Sequence, residues 1–257
     1  MMFDKLLSVM NEGGTVDFLT VIDSSSAELI GQMLIMYSDG RVDSLMDDDI
    51  TEKITEKITE NLRTTTWIKP ITFSVEDEQG GTSRIFWDRI EKTFRAVVFG
   101  GGHISQPLVQ LLSLLDFDVT IVDDRPEFAN HARFPGAKRV ICDSFRRVLQ
   151  ELTIGEDTAV IIVTRGHQYD LECLRATIGS GARYLGMIGS KKRIREMIHV
   201  FREAGVNEEL LKQLRAPIGL DIKAETPTEI AVSIAAEVVS VFRGGSGRPL
   251  SGYAEVF

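Results

Sequence analysis

The sequence has few cysteines and no long apolar run. Its 257 residues include only Cys142 and Cys173, neither in a Cys-x-x-Cys or histidine-rich setting. A disulfide framework and a cysteine-based metal site are therefore not expected, and both cysteines are predicted to be buried apolar residues. No stretch approaches the ~18 apolar residues that cross a bilayer, and residues 1–5 lack a signal-peptide pattern. We expect a soluble cytoplasmic protein with no membrane partner.

The sequence also lacks an excess of positive charge. It carries 29 basic and 38 acidic side chains, a formal net charge of −9, which argues against a nucleic-acid partner. Residues 1–90 hold 8 basic and 17 acidic side chains, whereas residues 91–257 hold 21 of each. Because the whole excess of acidic residues lies before residue 91, we predict two domains, 1–91 and 92–257.

The first 91 residues predict a small α/β domain. Alternating patterns indicate strands at 16–22, 32–37, 66–68, 71–75 and 84–87, and Trp67 and Trp87 are expected in the core. Isoleucines every four residues from Ile50 to Ile58, with Leu62, predict a helix with one apolar stripe. The three aspartates before it, residues 47–49, favour the helix N-terminus, and no chemistry is assigned to them.

The second domain is organised around a glycine motif that follows an apolar strand. The motif is Gly100-x-Gly102-x-x-Ser105, and Pro107 with an apolar stripe of leucines predicts a helix directly after it. The first glycine permits a tight turn, and the second lets backbone approach a phosphate. The N–H groups at the start of such a helix form an anion site. A glycine turn that only packs helix on strand is the open alternative.

Further strands place polar residues at the same predicted sheet edge. The strand at 117–122 ends in Asp123-Asp124, and Asp123 lies where the dinucleotide-binding fingerprint places the carboxylate that binds a ribose hydroxyl. Strands at 139–142, 159–163 and 184–188 alternate with helices, which predicts a Rossmann-type, doubly wound parallel sheet. We therefore expect Thr164, Arg165, Gly166 and His167 to face the glycine loop, with residues 189–193 beside them.

Basic residues and histidines around this edge leave alternatives open. Lys191, Lys192 and Arg193 follow the N-cap candidate Ser190, and an anionic ligand would offset their unfavourable position on the helix dipole. They could equally point into solvent. His103 and His167 are the two histidines placed for chemistry, but with no carboxylate partner identified no catalytic residue is assigned.

The last predicted helix begins with a capping box. Thr226 is the N-cap, Pro227 follows it, Glu229 stands at the third position, and the pattern ends at Gly244. The small residues of this helix suit packing on a sheet or on another subunit. Residues 216–222 before it are expected to form an ordered loop, in which Gly219 can take a positive φ.

These motifs together resemble the xanthine dehydrogenase accessory factors of the XdhC/CoxI type. The resemblance is carried by residues 99–104, 122–129 with 133–135, 164–167 with Asp170, 184–191, and 217–222 through 226–231. It diverges in residues 1–91, where family members carry a glycine-rich segment and a Cys-Gly-Gly segment. Here Asp39-Gly40 is followed by Arg41, and no cysteine precedes Cys142, so a role for an N-terminal thiol is not expected.

The resemblance implies a maturation factor for a molybdenum hydroxylase such as xanthine dehydrogenase. Such a factor is a cofactor-binding chaperone more than a catalyst: it binds the molybdenum cofactor (molybdopterin), assists its sulfuration and inserts it into the client. A cysteine desulfurase and a second copy of the chain, in a homodimer, are the other implied partners. The rival interpretations are an NAD(P)-dependent oxidoreductase with His167 as proton donor, and a non-catalytic dinucleotide-sensing module.

The predicted site contains cofactor-binding residues and no metal ligands. Its members are Gly100, Gly101, Gly102, His103, Ile104, Ser105, Asp123, Asp124, Arg125, Thr164, Arg165, Gly166, His167, Gly189, Ser190 and Lys191.

Overall fold

A computed structural model describes residues 2–12, 14–64, 70–77, 80–90 and 93–252. The chain divides into two compact units, Met1–Lys92 and Thr93–Phe257. None of the described helices is both long enough and apolar enough to cross a membrane.

The first unit is built on a five-stranded antiparallel sheet with order β3-β2-β1-β5-β4. Its elements are α1 Met2–Glu12, β1 Val16–Ser24, β2 Met33–Tyr37, β3 Val42–Ser44, α2 Asp48–Thr64, β4 Ile71–Glu76 and β5 Thr82–Ile90. The predicted strand at 66–68, including Trp67, and the side chain of Leu62 lie outside the described residues.

The core of this unit lies between α2 and the sheet. Ile50, Ile54 and Ile58 of α2 are buried together with Trp87 of β5, as their spacing predicts. A buried carboxylate, Asp17 on β1, accepts hydrogen bonds from the Trp87 indole N–H at 2.9 Å and from Nε of Arg89 at 2.8 Å. These bonds compensate for the cost of burying a carboxylate, which would otherwise destabilise the fold.

The second unit confirms the predicted Rossmann-type fold. All its strand pairs are parallel, in the order β11-β10-β9-β6-β7-β8. The strands are β6 Arg95–Phe99, β7 Asp118–Asp123, β8 Arg139–Cys142, β9 Thr158–Ile162, β10 Tyr184–Met187 and β11 Leu214–Arg215. The helices are α3 Ser105–Leu114, α4 Phe145–Glu151, α5 His167–Thr177, α6 Lys191–Glu203, α7 Glu208–Gln213 and α8 Pro227–Arg243.

The sheet is covered on both faces, which explains its continuous apolar strands. Successive residues of β6 enter opposite cores: Ala96 and Val98 pack with α3 and α8, and Val97 and Phe99 pack with α4, α5 and α6. The crossover after β6 therefore lies on one face and the crossover after β9 on the other. This divergence is the topological switch point at which doubly wound folds bind ligands.

The predicted ends of α8 are present. The Thr226 hydroxyl accepts from the Glu229 N–H, the Glu229 carboxylate accepts in return, and Gly244 closes the helix with φ of 70°. One prediction about the core is wrong: Cys173 is buried, but Cys142 is exposed. Cys142 is the last residue of β8, which is an edge strand in the sheet that the described residues form, so fewer side chains surround it than surround a central strand.

Candidate functional site

The ends of the two central strands are in contact at the switch point. Gly100 follows β6 with φ of +105°, and a Cβ built on it would lie 2.5 Å from the carbonyl oxygen of Val163, just beyond β9. Only glycine allows both this backbone conformation and this approach. The predicted meeting of the glycine loop with the segment after β9 is therefore present at Val163 and Thr164.

The glycine loop keeps one open side. A Cβ on Gly101 would meet the Phe128 carbonyl oxygen at 2.4 Å, whereas one on Gly102 would have nothing within 4 Å. Ser105, fully buried, donates its hydroxyl hydrogen to the Gly100 carbonyl and so holds the first turn of α3 against the loop. Ile104 packs on the core and His103 is exposed. The free face of the loop is the one at Gly102.

Asp123, at the end of β7, holds the glycine loop by a hydrogen bond. Its Oδ2 accepts from the Gly101 N–H at 2.8 Å and from Arg125 Nη2 at 3.0 Å, and its Oδ1 accepts from Arg125 Nε at 2.9 Å. Burial raises the pKa of this carboxyl, but the hydrogen bonds from Arg125 and Gly101 outweigh it and hold the pKa below its ordinary value. Asp123 is 1% exposed. Both oxygens predicted to bind a ribose are engaged within the protein.

Two arginines pack around Phe128 beside the loop. The Arg125 guanidinium lies 3.7 Å from the Phe128 ring centre and that of Arg133 lies 5.0 Å from it. Arg133 also donates from Nε to the Gly101 carbonyl at 3.0 Å. Neither Phe128 nor Arg133 was among the predicted site residues. Their common position on the segment after β7 fixes the outer side of Gly101.

An ion pair joins the segments that follow β7 and β9. Arg165 donates from Nη1 to Asp124 Oδ1 at 2.6 Å and from Nη2 to Asp124 Oδ2 at 3.0 Å. The same Nη2 donates to the hydroxyl of Tyr169 at 2.9 Å, and the guanidinium lies 4.6 Å from the Tyr169 ring centre. The hydrogen bond to Asp124 raises the pKa of Arg165, so the guanidinium stays charged.

Asp170 connects the start of α6 to the segment that follows β9. It lies in the first turn of α5, is 1% exposed, and accepts from the Thr164 hydroxyl and from Arg193 Nη2 at 2.6 Å. Gly166 is the N-cap of α5 and His167 is its first residue; the His167 side chain is outside the described part of the structure. Asp170 carried part of the family resemblance but was not among the predicted site residues.

The basic turn at the start of α6 is divided in two. Ser190 is the N-cap and accepts from the Arg193 N–H at 3.3 Å, as predicted, while the Arg193 side chain turns to Asp170. Lys191 and Lys192 are exposed. Gly189 precedes them at the end of β10, where a Cβ would meet Ile194 at 2.8 Å. Two lysines of the predicted trio are therefore presented to solvent.

A buried carboxylate that sequence patterns did not single out anchors the loop after β11. Glu237 of α8 accepts from the Tyr184 hydroxyl at 2.7 Å and from the Gly219 N–H at 2.8 Å. Gly219 has φ of +96°, as its place in the loop predicted. A charged residue on the apolar face of a predicted helix is the signal that could have revealed Glu237.

In the described residues, no group of three or more His, Cys, Asp or Glu side chains is arranged to hold a metal.

One solved structure shares the fold over almost the whole chain. It is described as a xanthine dehydrogenase from Bacillus halodurans, matches with a TM-score of 0.66 and 23% identity, and covers 95% of this chain and 67% of that chain. At this identity the likeness concerns the fold.

Two curated relatives match by sequence. One is described as a probable xanthine dehydrogenase component of Bacillus subtilis, 29% identical over 62% of this chain and 46% of its own length. The other is the molybdenum cofactor insertion chaperone PaoD of Escherichia coli, 35% identical over 34% of this chain and 28% of its own length. The chain spans less than half the length of these relatives.

A family model describes the larger part of the chain. The model of the XdhC Rossmann domain matches residues 96–238, from β6 to the middle of α8, and so includes the glycine loop, Asp123, Arg165 and Ser190. The match confirms the resemblance drawn from the sequence motifs. The chain belongs to the XdhC Rossmann domain family.

Proposed function

We propose that this protein is a maturation factor that holds the molybdenum cofactor and delivers it to a molybdenum hydroxylase of the xanthine dehydrogenase type. The proposal is supported by the family and by the relatives described as a molybdenum cofactor insertion chaperone and as a xanthine dehydrogenase component. The chain is a binding protein in this proposal, with no catalytic residue assigned.

The observation that carries the proposal is the open face of Gly102. A ligand phosphate needs backbone N–H groups and the absence of a Cβ at the point of approach, and Gly102 lies at the N-terminal side of α3 with nothing within 4 Å of its Cβ position. Molybdopterin carries a phosphate that fits this need. Gly101, Gly102, His103 and Ile104 form the proposed cradle, and Ser105 holds its shape.

The charges around the loop suit an anion. Arg165 lies across the switch point, and Lys191 is exposed at the start of α6 beyond the next strand. Asp123, Arg125 and Arg133 hold the loop in place in this proposal. When bound, the cofactor supplies the molybdenum chemistry of the client enzyme; the chain binds, orients and shields it.

The state of Asp123 favours phosphate recognition over dinucleotide recognition. A dinucleotide site needs a carboxylate free to accept from ribose hydroxyls, whereas both Asp123 oxygens accept from Arg125, and one also accepts from Gly101. A ribose would have to displace these bonds. Assistance with sulfuration, a cysteine desulfurase partner and a homodimer belong to the proposal because the family resemblance implies them. A cytoplasmic location, expected from the sequence, belongs to it as well.

The test is a titration of the purified chain with molybdopterin, followed by pterin fluorescence, with NAD(H) and NADP(H) as competing candidates. Gly102→Ala is the decisive variant, because the added methyl group occupies the open face without touching the protein. Gly155→Ala is the matched control, since its Cβ would meet only Asp157 Oδ1 at 3.7 Å, in the loop before β9. We expect Gly102→Ala to weaken molybdopterin binding about tenfold and Gly155→Ala to leave it unchanged.

Two results would contradict the proposal. Binding of a dinucleotide with substrate turnover would favour an oxidoreductase. Molybdopterin binding that is equal in the wild type and in Gly102→Ala would place the cofactor away from the glycine loop.

A further inference from the structure

The Asp124–Arg165 ion pair crosses the strand that carries the glycine loop. Asp124 follows β7, Arg165 follows β9, and β6 lies between these two strands in the sheet. Neighbouring strands are about 4.8 Å apart, so the two side chains bridge a gap of about 10 Å beyond the end of β6. The pair therefore lies across the carboxyl end of β6, beside the loop that forms the proposed phosphate cradle.

The exposure of this ion pair would allow a ligand anion to replace the Asp124 carboxylate. Both partners remain accessible, with side-chain exposures of 35% for Arg165 and 27% for Asp124. By contrast, the neighbouring pair of Asp123 and Arg125 has a carboxylate that is 2% exposed. Because both side chains reach solvent, water can solvate the Asp124 carboxylate when a competing anion takes its place, which lowers the cost of the exchange.

We propose that the Arg165 guanidinium exchanges the Asp124 carboxylate for a phosphate of the bound ligand, and that Asp124 thereby excludes ligands that offer no anionic group to replace it. The inference rests on the proposed function and names the residues that select its ligand. A guanidinium donates two parallel N–H bonds to a carboxylate, and phosphate oxygens accept the same two bonds. A neutral ligand offers no group that can replace Asp124.

Tyr169 keeps Arg165 in place during the exchange. Its hydroxyl accepts from Arg165 Nη2 at 2.9 Å and its ring lies against the guanidinium, so the arginine has a second contact that does not depend on Asp124. Asp123 is a poor substitute partner, because its Oδ1 is 3.9 Å from Arg165 and already accepts from Arg125. The exchange thus requires only that the Asp124 side chain turn away.

The experiment measures binding of inorganic pyrophosphate by calorimetry at low salt. Asp124→Asn removes the competing charge and is expected to tighten pyrophosphate binding roughly two- to fivefold, while Arg165→Lys, which cannot donate the paired bonds, weakens it. Asp124→Ser is a second variant with the same expected direction. Glu208→Gln is the matched control: it disrupts another two-point ion pair, with Arg202, at 2.5 and 3.0 Å on α6 and α7, and should leave the affinity unchanged.

Unchanged or weaker pyrophosphate binding in both Asp124 variants overturns the exchange, and so does the absence of pyrophosphate binding in all proteins. A parallel titration with molybdopterin separates the two proposals. If molybdopterin fails to bind while pyrophosphate shows the expected order of affinities, the proposed cofactor is wrong and the exchange stands. If molybdopterin binds equally well to wild type and Asp124→Asn, the proposed function stands and the exchange is wrong.

Discussion

The backbone N–H of Gly101 donates a hydrogen bond of 2.8 Å to Oδ2 of Asp123, 22 residues along the chain. This bond ties the turn after β6 to the end of β7. Because Arg125 holds the same carboxylate by its side chain and its backbone N–H, Asp123 fixes the glycine loop in one shape. Asp123 was expected to contact a ligand directly, but in the structure it holds the glycine loop in position.

Asp123→Asn should lower the free energy of unfolding by about 2–4 kcal/mol at pH 7, because a buried, charged acceptor is lost. The pKa of Asp123 is lower in the folded state, so its stabilisation is present above the unfolded-state pKa of about 3.9 and is lost as pH falls towards the folded value. Urea unfolding of both proteins from pH 7 to pH 3 should therefore show a difference that shrinks below about pH 4.

The control for this series is Asp221→Asn, a change at an exposed carboxylate, which should leave the urea midpoint at pH 7 unchanged. A difference between wild type and Asp123→Asn that persists undiminished at pH 3 would show that the charge of Asp123 is not its source.

Two glycines of the loop should differ in how much stability they lose on substitution by alanine. Gly100→Ala forces a Cβ to within 2.5 Å of the Val163 carbonyl at φ of +105°, and should cost about 3 kcal/mol or more of stability. Gly102→Ala places its Cβ in open space and should unfold at the wild-type urea concentration. Similar losses of stability in both variants would contradict the described geometry of the loop.

The three basic residues that start α6 should separate into two classes. Replacing Lys191 and Lys192 with alanine should weaken pyrophosphate binding by about threefold at low salt, with no effect in high salt, because exposed charges act through screened attraction. Stability should not change. Arg193→Ala should instead cost about 2 kcal/mol or more, because it removes a partner of buried Asp170.

The control for the lysines is Lys212→Ala, which removes an exposed positive charge on α7. Equal weakening by Lys212→Ala would show that net charge alone governs binding.

The two cysteines should differ sharply in reactivity. Cys142 is exposed, whereas Cys173 is fully buried. Burial, with the nearby charges of Glu172 and Asp170, raises the pKa of the Cys173 thiol. A colorimetric thiol reagent should therefore modify one thiol per native chain rapidly and the second only after denaturation. Cys142→Ser should abolish the rapid reaction, and two rapidly reacting thiols in the wild type would contradict the fold.

Local patterns were sufficient to predict most elements of the second unit. Apolar strands, the glycine motif and the capping box at Thr226 each lie within a few residues of sequence, and all are present. Two short strands escaped prediction, β3 with three residues and β11 with two. A segment of two or three residues is too short to show an alternating pattern. The order of the first sheet depends on the pairing of β1 with β5, whose paired residues are 59 to 74 positions apart, and no local pattern specifies this pairing.

The positions of the candidate site residues were predicted better than their contacts. Strand ends identified the edge where Gly100, Asp123 and Arg165 lie, because parallel strands end together. The pairing of Arg165 with Asp124, 41 residues away, and the support of the loop by Arg133 depend on tertiary packing. The prediction that Cys142 is buried failed because residue type alone does not distinguish an edge strand from a central one.

Asp170 couples two segments that are distant in sequence, because it binds a residue of each. Since one carboxylate holds the end of β9 through Thr164 and the first turn of α6 through Arg193, neither stretch can shift without disturbing the other. Losses of stability measured singly at Thr164 and Arg193 should not sum in the double variant. A change that displaces Thr164 should therefore also disturb the start of α6, after the adjacent strand β10, where the exposed lysines lie.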